Sequence, residues 1–323
     1  MHEITDEGEY MIKVFIDGRE GTTGLRIYDR LSARSEVELT VLPEELRKDP
    51  GARKEAINSA DTVFLCLPDQ AATEAVSLIE NDSVRVIDAS TAHRIDSAWA
   101  YGLPELSPEH RQAIAGGKRI ANPGCFASGF IALVHPLRAA GLLDSSARMF
   151  CHALTGYSGG GKKMIAEYEA KGRSVLLEAP RQYGLTQQHK HLKEMKYITG
   201  LENAPVFCPV VSDFYSGMVM TVPLFPQQLA HGADCGTIRE IYRSQYAGPV
   251  VSYAEDLTDD GAGNFISGAG LSGKDAMKIG VCGNDERILL IAQYDNLGKG
   301  ASGAAVECMN LKMGADRKKG LEL

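Results

Sequence analysis

Short β-branched, apolar runs alternate with amphipathic stretches from the start of this chain. Residues 13–17, 37–42, 62–67 and 84–88 have the length and the bounding turn residues of strands. Between them, residues 23–34, 52–60 and 70–80 place apolar side chains at helical spacing beside mixed polar faces. Strand and helix in alternation predict an α/β architecture, a Rossmann-like doubly wound parallel sheet with its ligand at the carboxyl ends of the strands. After about residue 145 the pattern changes. Residues 147–154, 205–211, 217–224, 278–282 and 287–293 read as strands with few helices between them, which predicts an α+β region built on a mixed sheet. Phe130, Leu133, Leu137 and Leu142 mark a helix over 126–142, and 300–313 reads as one closing helix.

Two turns carry candidate chemistry. The first strand runs into Gly18-Arg-Glu-Gly21-Thr22-Thr23-Gly24, a G-x-x-G-x-x-G turn placed between strand and helix. Glycines there let backbone amides approach a pyrophosphate at a helix N-terminus, so the turn points to a dinucleotide. The residues leave the choice of dinucleotide open. Glu44 and Glu45 after the second strand suit a free ribose 2′-hydroxyl, whereas Arg19, Arg26, Arg47 and Lys48 suit a 2′-phosphate.

The second turn, Asn122-Pro123-Gly124, delivers Cys125 to the start of the 126–142 helix. Unpaired amides and the positive end of the helix dipole stabilise a thiolate and a developing oxyanion there. A small buried apolar cysteine is the plain alternative. Downstream, His189-Lys-His191-Leu-Lys-Glu194 offers an acid/base partner. Histidines two apart do not share a helix face, so a metal site is not expected. Tyr157-Ser158-Gly159-Gly-Gly161 and the segment from Asp295 to Gly303 are Gly-rich loops with lysines and backbone donors suited to an anion or a nicotinamide amide. His2, His110 and His231 sit in polar contexts, while His135 and His152 read as core.

The length of 323 residues fits two domains, and a net charge of −8 offers no basic footprint for nucleic acid or a membrane surface. Seven scattered cysteines without a C-x-x-C pair argue against a disulfide framework. The polar, acidic first ten residues are unlike a secretion signal, and no apolar run approaches a membrane span, so a cytoplasmic location is expected.

Taken in order, the glycine turn, Tyr101-Gly-Leu-Pro-Glu105, Ala121-Asn-Pro-Gly-Cys125, the H-x-H-x-x-E of His189 to Glu194, and Asp295-Asn296-Leu-Gly298-Lys-Gly-Ala-Ser-Gly with Met309-Asn310 resemble N-acetyl-gamma-glutamyl-phosphate reductase. The length is similar to the shorter, type 2 branch. The resemblance implies NADPH-dependent reduction of N-acetyl-glutamyl 5-phosphate to the 5-semialdehyde, in arginine biosynthesis, by a homodimer or homotetramer. It implies Cys125 as nucleophile and His189 as acid/base, with His191 the lesser choice. Arg94, Asn122 and Glu194 are expected at the anionic substrate. Gly18, Gly21, Thr22, Thr23, Gly24, Ser158, Gly159, Asn296 and Gly298 are expected at NADP(H). The dinucleotide-binding domain is expected over 1–123, with the closing helix (299–314) returning to it, and the catalytic and dimerisation domain over 124–298. Aspartate-semialdehyde dehydrogenase, a relative with the same plan, and a non-catalytic cofactor-binding protein are the alternatives.

Overall fold

The structure, a computed structural model, describes residues 11–323; the acidic first ten residues, His2 among them, lie outside the described residues. It divides into two compact units. The first comprises the described residues up to Pro104, then Glu109–Pro123 and Ala304–Leu321; the second comprises Glu105–Pro108, Gly124–Gly303 and Glu322–Leu323.

The first unit runs β1 (Ile12–Asp17), α1 (Thr22–Ser32), β2 (Val37–Thr40), α2 (Pro50–Ser59), β3 (Thr62–Leu65), α3 (Asp69–Ser77), β4 (Arg85–Asp88), β5 (Ala100–Tyr101), α4 (Pro108–Gly116) and β6 (Arg119–Ala121). The sheet order is β2-β1-β3-β4-β6-β5 and every pairing is parallel, as the alternation predicts. Alternate side chains of β1 supply two cores. Val14 and Ile16 pack with Ile27 and Leu31 of α1 and with Val306 and Met309, while Phe15 faces Ile57 of α2 and Ala72 of α3. Asp49 starts α2 by accepting from the Ala52 amide at 2.7 Å, with Pro50 at the first helical position. β2 and β3 each stop two residues before their apolar runs do. Val41, Leu42 and Leu67 are apolar because they line a cleft.

The second unit runs α5 (Cys125–Ala139), β7 (Phe150–Gly156), α6 (Gly161–Glu169), β8 (Arg181–Gln182), α7 (His191–Thr199), β9 (Val206–Ser212), β10 (Met218–Leu224), α8 (Cys235–Gln245), β11 (Val251–Tyr253), β12 (Met277–Asn284) and β13 (Arg287–Tyr294). The sheet is mixed, in the order β11-β12-β13-β10-β7-β9-β8, with β7–β9 and β11–β12 parallel and the other pairs antiparallel. Helices are more numerous here than the sequence pattern predicts.

Helix α5 packs against β10, β13, α7 and α8 and is buried along most of its length. Pro136 lies inside it and has no amide for the carbonyl of Ala132. The buried Tyr246 hydroxyl donates to that carbonyl at 2.6 Å, and Tyr242 donates to the next one, Leu133. A proline that would cost about 3 kcal/mol in an isolated helix is thereby accommodated.

The closing segment differs from the single helix read from the pattern. Gly298–Ser302 is a π-turn in the second unit, and α9 (Gly303–Lys312) follows, almost wholly in the first. The loop at 157–163 also differs, since Tyr157–Gly160 is a 3-10 turn that leads directly into α6. His152 is half-buried on a sheet face rather than in the core. Among the described residues, no helix is long and apolar enough to cross a membrane.

Candidate active site

In the first unit, the glycine turn closes against the neighbouring strand. Gly18 has φ +85°, and a Cβ there would collide with the Cys66 carbonyl; a Cβ on Gly24 would stand 2.6 Å from the Gly18 carbonyl oxygen. Only hydrogen fits at either position, so the backbone itself forms the floor of the turn. Gly21 caps α1 with no side chain on the first-turn amides, Thr22 and Thr23 open the helix, and no acidic residue lies in that turn. An anion is the natural occupant of such an end.

A cleft of about 230 Å³ adjoins this turn. Its walls include Val41, Leu42 and Leu67, and its charged rim is Arg19, Glu20, Arg47 and Lys48. Glu20 lies between Arg19 at 3.2 Å and Arg47 at 3.3 Å. Glu44, 89% exposed, pairs only with the outer side of Arg47, and neither Glu44 nor Glu45 lines the cleft. Asp17, at the end of β1, pairs with the buried Arg53 at 2.8 Å. Burial raises its carboxyl above the usual value despite that partner.

Two further strand ends of this unit are tied together. Arg94 is buried and donates from Nε to the Asn122 carbonyl and from Nη2 to the Ala89 carbonyl, both at 2.9 Å. The Asn122 amide donates in turn to the Asp88 carbonyl at 2.7 Å. Asp88 is fully buried and takes Ser90 Oγ and His93 Nδ1, each at 2.7 Å, while His93 stacks on Trp99 at 4.0 Å. Sequence reasoning placed Arg94 and Asn122 at the site, and the structure joins them through backbone carbonyls.

In the second unit Cys125 is the first residue of α5, half-buried, behind a Gly124 N-cap that offers no side chain, with no acid in the first turn. The Gly124 amide donates to Oε1 of the buried Glu194 in α7 at 2.9 Å, and the Tyr294 hydroxyl donates to the Cys125 carbonyl at 2.6 Å. Phe126, the next residue, packs its ring 5.7 Å from His189 and 5.9 Å from His191. Cys125, His189 and Glu194 are thus gathered at one end of α5 and α7.

His189 sits just before α7, and its Nδ1 accepts from the His191 amide at 3.2 Å, which leaves the proton on Nε2. Burial, and secondarily the Lys190 charge, pull its pKa down to about 4. It is a neutral imidazole at physiological pH, able to donate through Nε2. Tyr183, which no motif marked, lies 6.4 Å ring to ring from His189. Burial, and then the nearby Cys125, raise its phenol pKa, so it remains protonated.

The second Gly-rich pair also converges. Asn296 donates to Ser158 Oγ at 3.0 Å and accepts from the Gly217 amide at 2.8 Å, and a Cβ on Gly159 would come 3.4 Å from its amide nitrogen. Gly298 lies against the Lys274 carbonyl. Ser158, Gly159 and Asn296 therefore meet, with the Asn296 side chain committed to holding the loops. Lys299 and Glu105, two motif residues to which the pattern assigned no role, form a buried pair at 2.9 and 3.0 Å.

A parallel doubly wound unit, followed by a mixed-sheet unit with a cysteine at a helix N-terminus, is the plan of the semialdehyde dehydrogenases. Two family models match accordingly: the semialdehyde dehydrogenase NAD binding domain over residues 31–114 and its dimerisation domain over 125–296. Aspartate semialdehyde dehydrogenase II from Vibrio cholerae superposes with a TM-score of 0.69 at 17% identity, covering 94% of this chain and 98% of that one. The Candida albicans enzyme, solved with NADP, gives 0.62 at 14% identity, covering 93% and 98%. These likenesses concern the fold. Sequence relatives are nearer: the N-acetyl-gamma-glutamyl-phosphate reductase of Sinorhizobium medicae is 44% identical over 94% of this chain and 99% of its own length, and N-acetyl-gamma-glutamyl-phosphate reductase 2 of Nostoc is 41% identical over 96% and 99%. The chain belongs to the N-acetyl-gamma-glutamyl-phosphate reductase family.

Proposed function

We propose that this protein reduces N-acetyl-glutamyl 5-phosphate to N-acetyl-glutamate 5-semialdehyde with NADPH, releasing phosphate, as an enzyme of arginine biosynthesis in the cytoplasm. The observation that carries this reading is the start of α5. Cys125 opens α5 behind a glycine N-cap, with no acidic residue in that helix's own first turn, in the same cluster as a neutral, Nε2-protonated His189.

The first unit serves as the dinucleotide-binding domain and the second as the catalytic and dimerisation domain. The Gly18–Gly24 turn fits the cofactor's pyrophosphate because a side chain at either glycine would fill the cradle. Arg19, Arg47 and Lys48 at the adjoining cleft fit a 2′-phosphate, with Glu20 moving aside, and this favours NADP(H) over NAD(H). When bound, the reduced nicotinamide supplies a hydride. Backbone groups around Ser158, Gly159, Asn296 and Gly298 are proposed to position its amide.

The chemistry is then that of the cysteine. Cys125 thiolate attacks the acyl carbon, the C–O bond to phosphate breaks, and a thioester remains on Sγ. Arg94 and Asn122 shape the turn that leads to Cys125 and take part in holding the anionic substrate. After the hydride has added to the thioester carbon, the neutral His189 donates a hydrogen bond from Nε2–H that stabilises the alkoxide. Collapse of that alkoxide re-forms the C=O bond, the C–S bond breaks, and the aldehyde leaves with Cys125 restored as thiolate. Glu194 acts through the Gly124 amide, which it fixes.

The assembly is proposed to be a homodimer or a higher oligomer built from it. One face of the second sheet carries Phe150 opposite Val206 and His152 opposite Cys208, with Leu289 opposite Pro223, and Phe150, Val206 and Leu289 are exposed. A second copy would cover this apolar face, and Val206→Glu should shift the sedimentation coefficient to that of a smaller species.

The function is tested in reverse, with N-acetyl-glutamate 5-semialdehyde, phosphate and either NADP or NAD, following reduced cofactor by absorbance. Phosphate-dependent reduction of NADP is expected. Silence here with activity on aspartate 4-semialdehyde would move the assignment to the sister enzyme, and silence on both would favour a non-catalytic role.

A further inference from the structure

Three tyrosine hydroxyls donate to carbonyls of α5. Two of them lie beside the proline in the helix, since Tyr246 serves the carbonyl that Pro136 leaves without an amide and Tyr242 serves the next one. Tyr294 has no such cause. It donates to the carbonyl of Cys125, and the N–H of Gly129, four positions on, bonds the same phenol oxygen, so no amide is missing there.

The arrangement depends on an absent side chain. A Cβ on Gly129 would stand 2.5 Å from the Tyr294 hydroxyl oxygen and 2.8 Å from its ring carbon Cε1. Tyr294 is fully buried, and burial, then the neighbouring Cys125, raise its phenol well above the usual value. The hydroxyl is therefore always a donor. The chain that follows returns to the same residue. In the π-turn, a Cβ on Gly300 would be 3.0 Å from Cys125 Cβ and 3.3 Å from Cys125 Cα. One short segment thus grips the backbone and the Cβ of the cysteine from two directions.

The first residue of a helix makes no intrahelical bond through its N–H and frays most easily. Its carbonyl is its main attachment. We propose that Tyr294 is a positioning residue for Cys125, anchoring that carbonyl so that Sγ is presented from a fixed first turn of α5. The inference rests on the reading of Cys125 as nucleophile and extends it to a residue that touches no substrate.

Tyr294→Phe removes one hydroxyl and leaves the ring. Turnover is expected to fall about tenfold, the size of one neutral hydrogen bond, with the KM for NADP unchanged. Alkylation of Cys125 by iodoacetamide, followed by peptide mass spectrometry across pH, should reach half its maximum about one pH unit higher, because the first turn no longer holds Sγ at the positive end of the helix. A drop in melting temperature with unchanged turnover and an unchanged alkylation profile would mean that Tyr294 only packs, and would overturn the proposal. If the Phe variant does not fold, Gly129→Ala tests the same contact by displacing the phenol; the same losses are expected, and wild-type kinetics would overturn the proposal. Cys125→Ser separates the two levels. An active Cys125→Ser enzyme sinks the nucleophile reading itself, whereas an inactive one beside a Tyr294→Phe enzyme of wild-type behaviour sinks only this inference.

Discussion

Helices α1 and α5 begin alike. Each has a glycine N-cap, which has no side chain of its own to cap the helix, and no acidic residue in its first turn. Their surroundings differ. The start of α1 is built from its own neighbourhood, with Gly21 bonding Gly18 at 3.0 Å and Gly24 lying over the same carbonyl. The start of α5 is held by groups far along the chain: Glu194 on the Gly124 amide, Tyr294 on the Cys125 carbonyl and Gly300 against the Cys125 side chain. A helix end that receives a diffusing anion needs room and free amides, and local glycines suffice for that. An end that carries the reagent must also hold one side chain in one place, which requires contacts from outside the helix.

The comparison breaks most visibly at its chemical end. Cys125→Ser should lower turnover by about three orders of magnitude or more, since an alcohol is a far weaker nucleophile at neutral pH, while NADPH binding measured by fluorescence stays as in the wild type. Gly18→Ala does the reverse. Its strained φ and its collision with the Cys66 carbonyl should weaken NADPH binding about 100-fold by calorimetry and leave Cys125 open to alkylation. Unchanged NADPH affinity in that variant would remove α1 from the site.

Arg47→Ala combined with Arg19→Ala should cut the preference for NADPH over NADH, read as the ratio of kcat/KM values, by about 10- to 100-fold. An unaltered ratio would place the 2′-phosphate elsewhere. Tyr246→Phe sharpens the contrast within α5, because it leaves the Ala132 carbonyl unpaired. About 1–2 kcal/mol of stability should be lost in urea titrations, with turnover intact.

The smallest effect is a matter of pH. The His189 pKa is lowered from 6.5 to about 4 on folding, so between those values the unfolded chain binds the extra proton. This contribution to stability is complete above pH 6.5 and declines as the pH falls towards 4. NMR titration of the His189 ring should show it neutral at pH 6, and a midpoint near 6.5 would contradict the buried, neutral imidazole.

Much of this was legible in the chain. The strands at 13–17 and 84–88, the helices from 23 and 52, and the strands at 217–224 and 287–293 all have a clear period or a β-branched run, and all are present. What escaped is short or weakly periodic: β5, β8 and β11 have two or three residues each, and α7 and α8 have few apolar positions. The π-turn was invisible because its cause is distant. Gly298 lies on the Lys274 carbonyl, and a Cβ on Gly303 would stand 2.5 Å from Asp275 Oδ1.

At the site, the Asn-Pro-Gly turn pointed to Cys125 and the family resemblance to His189, and Phe126 packs beside the His189 ring in the structure. The residues that hold Cys125 could not be read the same way. Tyr294 is 169 positions away and Glu194 is 70 from Gly124. The buried Lys299–Glu105 pair spans 194 positions. Pairings at such separations leave no local period, and their residues read in isolation as ordinary strand, helix or surface positions.

The central claim is the thioester on Cys125, and a rapid-mixing experiment tests it directly. N-acetyl-glutamate 5-semialdehyde and NADP are added without phosphate, and NADPH is followed from the first milliseconds. A burst of about one NADPH per subunit that then stops is expected, with an N-acetyl-glutamyl group on Cys125 by mass spectrometry and turnover resuming when phosphate is added. No burst, or sustained turnover without phosphate and with Cys125 unmodified, would contradict it.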